Sequence, residues 1–338
     1  LAPWTFPLAL PAVLAGAALA AGNAVVLKPS EDTPLVAARL VDGLLEAGLP
    51  PAVLGLVQGT GEEAGAPLVR HPEAGLVAFA GFPDVAREVA IACAAERKRA
   101  IALAMGREAV LVLDDGDAEL AVARIAAGTF ALSGRRRPAL HIVLQGKAGR
   151  QVQERLLEVA QAARPGDGLL PETTVPPLVN DRQVKRLHAY VRLAVKEGAR
   201  LLTGGEAYRD GEGRKGFFYA PTILAEVTPK MRAAQDEVAG PVLALLPAAT
   251  PEEAVERTNR LPTGRAVSLY ARDVGKALRL AGALAADAVR INDGGPGTPE
   301  ARAWLLGPLA DQAHLVERFA RWRRLEIAAA RAAEGGRP

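Results

Sequence analysis

The sequence predicts an α/β protein built from parallel strands alternating with helices, and three observations carry that expectation. Short apolar, β-branched runs recur between Gly and Pro residues, stretches rich in Ala and Leu separate them, and the links between the two are short. The clearest example is Gly22-Asn23-Ala24-Val25-Val26-Leu27-Lys28-Pro29-Ser30-Glu31-Asp32-Thr33-Pro34. Residues 24–28 read as a buried strand stopped by Pro29, which has no N–H to give a central ladder. A helix follows over residues 35–47; Ser30, Asp32 or Thr33 can accept its first free amides, and Pro34 suits its first turn. A strand, a polar switch and a helix form the opening unit of a doubly wound sheet, which binds ligands at the carboxyl ends of its strands. Lys28 and Glu31 sit at that end.

Taken in order, residues 8–21 have the composition of a buried helix. Gly48 and Pro50-Pro51 end the helix at residue 47, and residues 53–58 form a second strand leaving into Gly59-Thr60-Gly61. Residues 62–70 read as helix, 76–80 as a third strand closed by Gly81, and 84–96 as helix. Three such alternations specify a Rossmann-like parallel sheet domain over residues 1–100. A second series begins with the strand 110–113, the turn Asp114-Asp115-Gly116-Asp117 and the helix 118–127. It continues through strand 141–144, helices 150–163 and 180–197, strand 200–202 and an extended stretch at 217–225. Strand 242–246, helix 251–259, strand 266–270, helix 274–284 and strand 289–292 complete it. A second α/β domain is therefore expected over residues 101–298. Residues 299–338 read as a helical C-terminal segment with Trp304, Phe319 and Trp322 on its apolar side, and no short-period repeat is present.

With 338 residues the chain can bury two sizeable cores. Half of the residues are apolar but only 4% are aromatic, so Ala, Leu and Val must fill those cores. The 41 basic and 38 acidic side chains leave a formal charge of +3, far from the concentrated positive field of a nucleic-acid binder. The single cysteine, Cys93, excludes an intramolecular disulfide framework and a multi-cysteine metal site. His71, His141, His188 and His314 lie too far apart for a local metal motif. Residues 8–21 are apolar but interrupted by Pro11, and too short to span a bilayer. A cytoplasmic protein without a membrane or nucleic-acid partner is expected. The opening Leu1-Ala2-Pro3-Trp4, which lacks a methionine, reads as a piece of a longer polypeptide.

The order and wording of four segments resemble the aldehyde dehydrogenase superfamily, over residues 3–294. Pro3-Trp4-Thr5-Phe6-Pro7 is similar to that family's Pro-Trp-Asn-Phe-Pro, and Ala20–Glu31 is nearly its cofactor strand verbatim. Asp236-Glu237-Val238-Ala239-Gly240-Pro241-Val242 resembles its Glu-Glu-(Ile/Val)-Phe-Gly-Pro-Val, and Val289-Arg290-Ile291-Asn292 its late Val-x-Ile-Asn strand. The resemblance implies an aldehyde-dehydrogenase-like fold: a Rossmann-type domain followed by a second α/β domain. It further implies an NAD site comprising Trp4, Lys28, Ser30, Glu31, Gly81 and Glu237. Lys28 and Glu31 would hold the adenosine ribose, with the glutamate favouring NAD over NADP, and Glu237 would reach the nicotinamide ribose. Taken alone, each of these charges reads more readily as a solvated loop residue.

The same resemblance locates departures. Phe82 stands where the family has a serine facing the pyrophosphate, Ala86 where it has a glycine, and Ala239 where a phenylalanine supports the nicotinamide. Phe130-Ala131-Leu132-Ser133-Gly134-Arg135-Arg136-Arg137 aligns with the nucleophile segment and puts Arg137 at the cysteine. A guanidinium is always protonated and cannot attack a carbonyl. Leu103 occupies the position of the base, with Met105-Gly106 for the glycine pair; Thr5 replaces the oxyanion asparagine, and Leu14 a lysine. Cys93, flanked by Ile91, Ala92 and Ala94, reads as a small buried hydrophobe, and Ser133 beside Gly134 as a turn residue. The run Arg135-Arg136-Arg137 reads as a solvated charge cluster or as filling of a former substrate tunnel, and less readily as a site for a carboxylate or phosphate. After Asn292 the sequence lacks the family's Gly-rich segment and pairing strand.

Together these features predict a module without the family's catalytic residues, acting as a structural or oligomerising partner of an active copy, as in family members that carry a second, cysteine-less module. Its partner would be another protein or a preceding domain of a longer chain. The alternatives are an NAD-sensing module working through Lys28, Glu31 and Glu237, and an NAD(P)-dependent aldehyde oxidoreductase that uses other residues.

Overall fold

A seven-stranded sheet dominates the second half of the chain, and its central strands owe their place to sequence. Glu108–Val112 (β5) carries apolar side chains on both faces: Ala109 and Leu111 enter one core, Val110 and Val112 the other, and all four are fully buried. Alternation with burial on both sides is the mark of a strand covered by helices above and below. The structure, a computed structural model, describes residues 1–104, 108–130, 133–135, 140–208, 211, 215–262, 266–292 and 312–320.

In the first half the strands are Val25–Leu27 (β1), Leu54–Leu56 (β2), Leu76–Gly81 (β3) and Arg99–Ala104 (β4). After β5 come Leu140–Gln145 (β6), Arg200–Thr203 (β7), Thr222–Ala225 (β8), Val242–Ala248 (β9), Ala266–Tyr270 (β10) and Ala288–Ile291 (β11). The seven-stranded sheet has the order β11-β10-β5-β6-β9-β8-β7, parallel except for the antiparallel pair β7·β8 at its edge. Ala118–Thr129 (α5) and Gly146–Gln161 (α6) pack on one face through Val122, Ile125, Val152 and Leu156. The other face is covered by Asp181–Lys196 (α7), Arg232–Gln235 (α8), Pro251–Asn259 (α9) and Val274–Ala281 (α10), with Leu187 and Tyr190 of α7 among the buried contacts.

The first half is a layer of two parallel pairs, β1·β2 and β3·β4. Its helices are Ala9–Ala20 (α1), Pro34–Glu46 (α2), Ala66–Arg70 (α3) and Pro83–Ala95 (α4). Gly22 ends α1 at φ +80°, its N–H bonding to Leu19 O and that of Asn23 to Ala18 O, the paired closure that lets the chain turn directly into β1. Strand β4 was not foreseen; it pairs residue for residue with β3, Leu76 with Arg99 through Gly81 with Ala104. Nor is residues 62–70 a single α-helix. Gly61–Gly65 forms a wider π turn and α3 follows, because Pro67 has no N–H to continue the α-helical ladder.

Of the C-terminal segment, Gln312–Phe319 (α11) is a helix that packs Leu315 and Phe319 against Leu10 and Leu14 of α1. The Arg99 guanidinium caps its end, bonding the carbonyls of Arg318 at 2.7 Å and Ala320 at 3.0 Å. Trp304, Trp322 and the remainder of residues 299–338 lie outside the described residues. Among the described residues no helix is long and apolar enough to cross a membrane.

Candidate functional site

The carboxyl ends of β1 and β3 lie side by side, joined by the first two residues of the chain. The Leu1 nitrogen donates to Ala78 O at 2.8 Å, Leu1 O accepts the Ala80 amide at 3.0 Å, and the Ala2 amide donates to Lys28 O at 3.0 Å. Lys28 and the Gly81 end of β3 are thereby brought to one end of the layer, the end at which a doubly wound sheet binds its ligands; Trp4, two residues on from Ala2, is buried at 9% exposure.

Lys28 is buried at 5% exposure, its stem packed on Gly65 of the π turn, where an added Cβ would lie 3.7 Å from Cδ. Its ammonium donates to Pro29 O at 2.8 Å and stands 3.7 Å from Glu31 Oε2. Glu31 is half-exposed, so the pair presents a cation and a carboxylate side by side at the rim, a set that can receive two vicinal hydroxyls. Ser30 lies in the turn between them, its Oγ accepting the Asp32 amide at 3.3 Å.

None of Ser30, Asp32 or Thr33 caps α2: Thr33 occupies the cap position without a side-chain hydrogen bond. Asp32 is directed elsewhere. It accepts Asn180 Nδ2 at 2.9 Å and lies 3.7 Å from Arg182, which ties the switch after β1 to the start of α7.

At the end of β3, a Cβ on Gly81 would approach Phe79 Cζ to 2.5 Å, so a side chain there requires the Phe79 ring to move. Phe82 opens α4, where Ala86 is buried in the first turns. Arg186 of α7 places its guanidinium 5.7 Å from the centre of the Phe82 ring and donates to Glu237 O at 3.2 Å. One arginine thus spans from the start of α4 to the Glu237 segment. Glu237 and Ala239 are both buried, and Gln183 Nε2 donates to Ala239 O at 2.5 Å. Gln183 and Arg186, three residues apart on α7, hold the segment from one helix face. Sequence reasoning did not single out α7; the Asn180 cap, whose Oδ1 accepts the Gln183 amide at 2.8 Å, is the local signal that places these side chains.

The residues that the sequence resemblance sets at catalytic positions are placed as follows. Thr5 is buried at 3% exposure. Leu103 is a buried aliphatic on β4, paired with Ala80. Ser133 is buried with φ +48°, and its hydroxyl donates to Pro176 O. Gly134, at φ +72°, lies so close to Gly240 that a Cβ would fall 1.9 Å from its carbonyl oxygen. Burial draws the Arg135 guanidinium below its ordinary value. Arg136, Arg137, Met105 and Gly106 lie outside the described residues. Cys93 is fully buried in α4 among Val69, Val77 and Val89; burial pushes its thiol up, and nearby Lys98 opposes this in part. Among the described residues no group of His, Cys, Asp or Glu could hold a metal ion.

A sequence profile of the aldehyde dehydrogenase family matches residues 1–307. The chain belongs to the aldehyde dehydrogenase family. It is 38% identical over 291 residues to a betaine aldehyde dehydrogenase of Cereibacter sphaeroides, an alignment covering 86% of this chain and 59% of that protein. It superposes on the betaine aldehyde dehydrogenase of Staphylococcus aureus in complex with NAD+ with a TM-score of 0.82 at 30% identity, covering 87% of this chain and 59% of that one. PnpE in complex with nicotinamide adenine dinucleotide gives the same TM-score at 32% identity, with 88% and 61% covered. The α/β architecture is therefore that of the aldehyde dehydrogenases, and this chain spans less than two thirds of the length of these relatives.

Proposed function

We propose that this aldehyde dehydrogenase module has no aldehyde dehydrogenase activity and serves as a structural or oligomerising partner of an active copy. The observation that carries the proposal is the placement of the chain's one thiol. Aldehyde oxidation through a covalent intermediate needs a thiolate at the substrate carbonyl. Cys93 is instead enclosed in an apolar cluster with Val69, Val77 and Val89, with burial holding it protonated. Leu103 and Thr5 supply neither a base nor an amide donor. A thiol titration tests this: the folded chain leaves Cys93 unmodified by a charged thiol reagent at neutral pH, while the denatured chain reacts fully. Rapid labelling of the folded chain, blocked by an aldehyde, would overturn the proposal.

NAD sensing is the second reading, and Lys28 with Glu31 favours it. The residues fit the ribose end of the cofactor, where a buried ammonium and a rim carboxylate lie 3.7 Å apart. They do not fit the diphosphate end, where an aromatic ring covered by Arg186 replaces a hydroxyl donor. NAD binding is accordingly proposed to be weak or lost. When bound, NAD would supply hydride acceptance, and the residues of this chain would only hold its adenosine ribose. Calorimetric titration separates the readings: saturable NAD binding lost in Lys28→Ala and Glu31→Ala supports the sensor.

A further inference from the structure

An open sheet takes its ligands outside the carboxyl ends of its strands, at points where neighbouring strands send their helices to opposite faces. Among the described residues the seven-stranded sheet has two such points. Strand β5 leads to α5 on one face while its neighbour β10 leads to α10 on the other, and β6 leads to α6 while its neighbour β9 leads to α9. The first point is shut by the protein itself. Asp115 accepts the Arg272 amide at 3.2 Å and the Asp273 amide at 2.9 Å, and a Cβ on Gly116 would meet Tyr270 O at 2.7 Å.

The second point stays open. Gln145 links the two strand ends, donating to Ala249 O at 3.4 Å, and beside it, at the ends of β6, β9 and β8, lies a cavity of about 270 Å³. Arg150 and Gln153 of α6 line it, with Arg200 from the start of β7 and Glu226 from the end of β8. Glu226 holds a left-handed backbone at φ +59°, and its carboxylate accepts Arg200 Nε at 2.8 Å. The two terminal nitrogens of Arg200 then have no hydrogen-bond acceptor among the described residues, and neither do the side chains of Arg150 and Gln153. The cavity wall therefore carries two guanidinium groups against one carboxylate, and that carboxylate is already engaged at the Nε edge of one of them.

We propose that this crevice binds a small oxyanion, the carboxylate or phosphate group of a molecule no larger than a short organic acid, between Arg150 and Arg200. Each guanidinium presents a planar fork that matches two oxygens of such a group, so the pair can hold one anion from two sides. Gln153 can donate its amide nitrogen to a further oxygen. Volume sets the size of the ligand: about 270 Å³ lies at the small end of ligand pockets and leaves no room for a dinucleotide. Every group in the site belongs to the seven-stranded sheet and α6, so it does not depend on the Lys28–Glu31 pair or on NAD.

The test is titration of inorganic phosphate, and separately of succinate, into the full chain at constant ionic strength, followed by the backbone amide NMR signals of Gly149 and Arg150. At least one of the two anions shifts these signals saturably, with a millimolar or tighter Kd, and Arg150→Gln and Arg200→Gln each weaken that binding by at least ~10-fold. Saturation by phosphate alone assigns a phosphoryl ligand, and saturation by succinate alone a carboxylate. Arg150 is exposed and bonds to nothing among the described residues, so Arg150→Gln keeps the parent melting temperature and its loss of binding is not a loss of fold. Shifts that stay linear with both anions would overturn the proposal, as would binding that either variant retains at the parent strength.

Discussion

Arg186 covers the Phe82 ring at 5.7 Å while donating to the Glu237 carbonyl at 3.2 Å, so a single side chain of α7 joins the start of α4 to the Glu237 segment. An exposed cation–π contact of this kind contributes only ~0.5–1 kcal/mol, and the greater consequence is the hydroxyl that is missing beneath it. Phe82→Ser is expected to tighten NAD binding by roughly 10-fold, about 1.4 kcal/mol, in calorimetric titration. An unchanged or weaker affinity would show that the ring is not what limits the cofactor.

Two glycines with left-handed backbones should respond very differently to alanine. At Gly134 the new Cβ meets the Gly240 carbonyl at 1.9 Å, whereas at Gly48, φ +97°, nothing lies within 4 Å. Gly134→Ala is expected to cost ~2–4 kcal/mol and Gly48→Ala about 1 kcal/mol in chemical denaturation, the difference being the backbone that must move.

Glu253 gives a pH signature. Its carboxylate accepts the Ala249 amide at 2.7 Å and the Arg257 guanidinium at 2.9 Å, which together hold it below the usual carboxylate range. A group whose value is depressed on folding adds stability above its unfolded value and loses it as pH falls through the folded one. Glu253→Gln should therefore lower the melting temperature at pH 7, with the gap to the parent narrowing once pH drops below 4.5, the ordinary value for this side chain.

Asp32 ties the loop after β1 to α7 through Asn180 at 2.9 Å. Asp32→Ala is expected to cost about 1 kcal/mol and to speed amide exchange in the first turn of α7. An effect confined to α2 would mean that the residue serves as a helix cap after all.

What could be read from the sequence was local. The stretch from Gly22 to Glu31 announces strand, turn and ligand-facing end within a dozen residues, and the structure assembles Lys28, Ser30 and Glu31 there. Strand β4 was hidden because Lys98-Arg99 follows a helix and Ala100–Ala104 is as much a helix former as a strand. The α2 cap was misjudged for a non-local reason: Asp32 bonds a residue 148 positions away. Arg186 and Phe82 lie on separate elements with no pattern in common, so only the fold brings them together.

This chain is proposed to keep the fold of its family without the family's chemistry. The most direct measurement is formation of NADH by the purified chain with a panel of short aliphatic, aromatic and betaine-type aldehydes at high NAD concentration. No NADH above the enzyme-free rate is the expected result, unchanged by Cys93→Ala. Saturable, aldehyde-dependent NADH formation would contradict it, and its loss in Cys93→Ala would name the nucleophile.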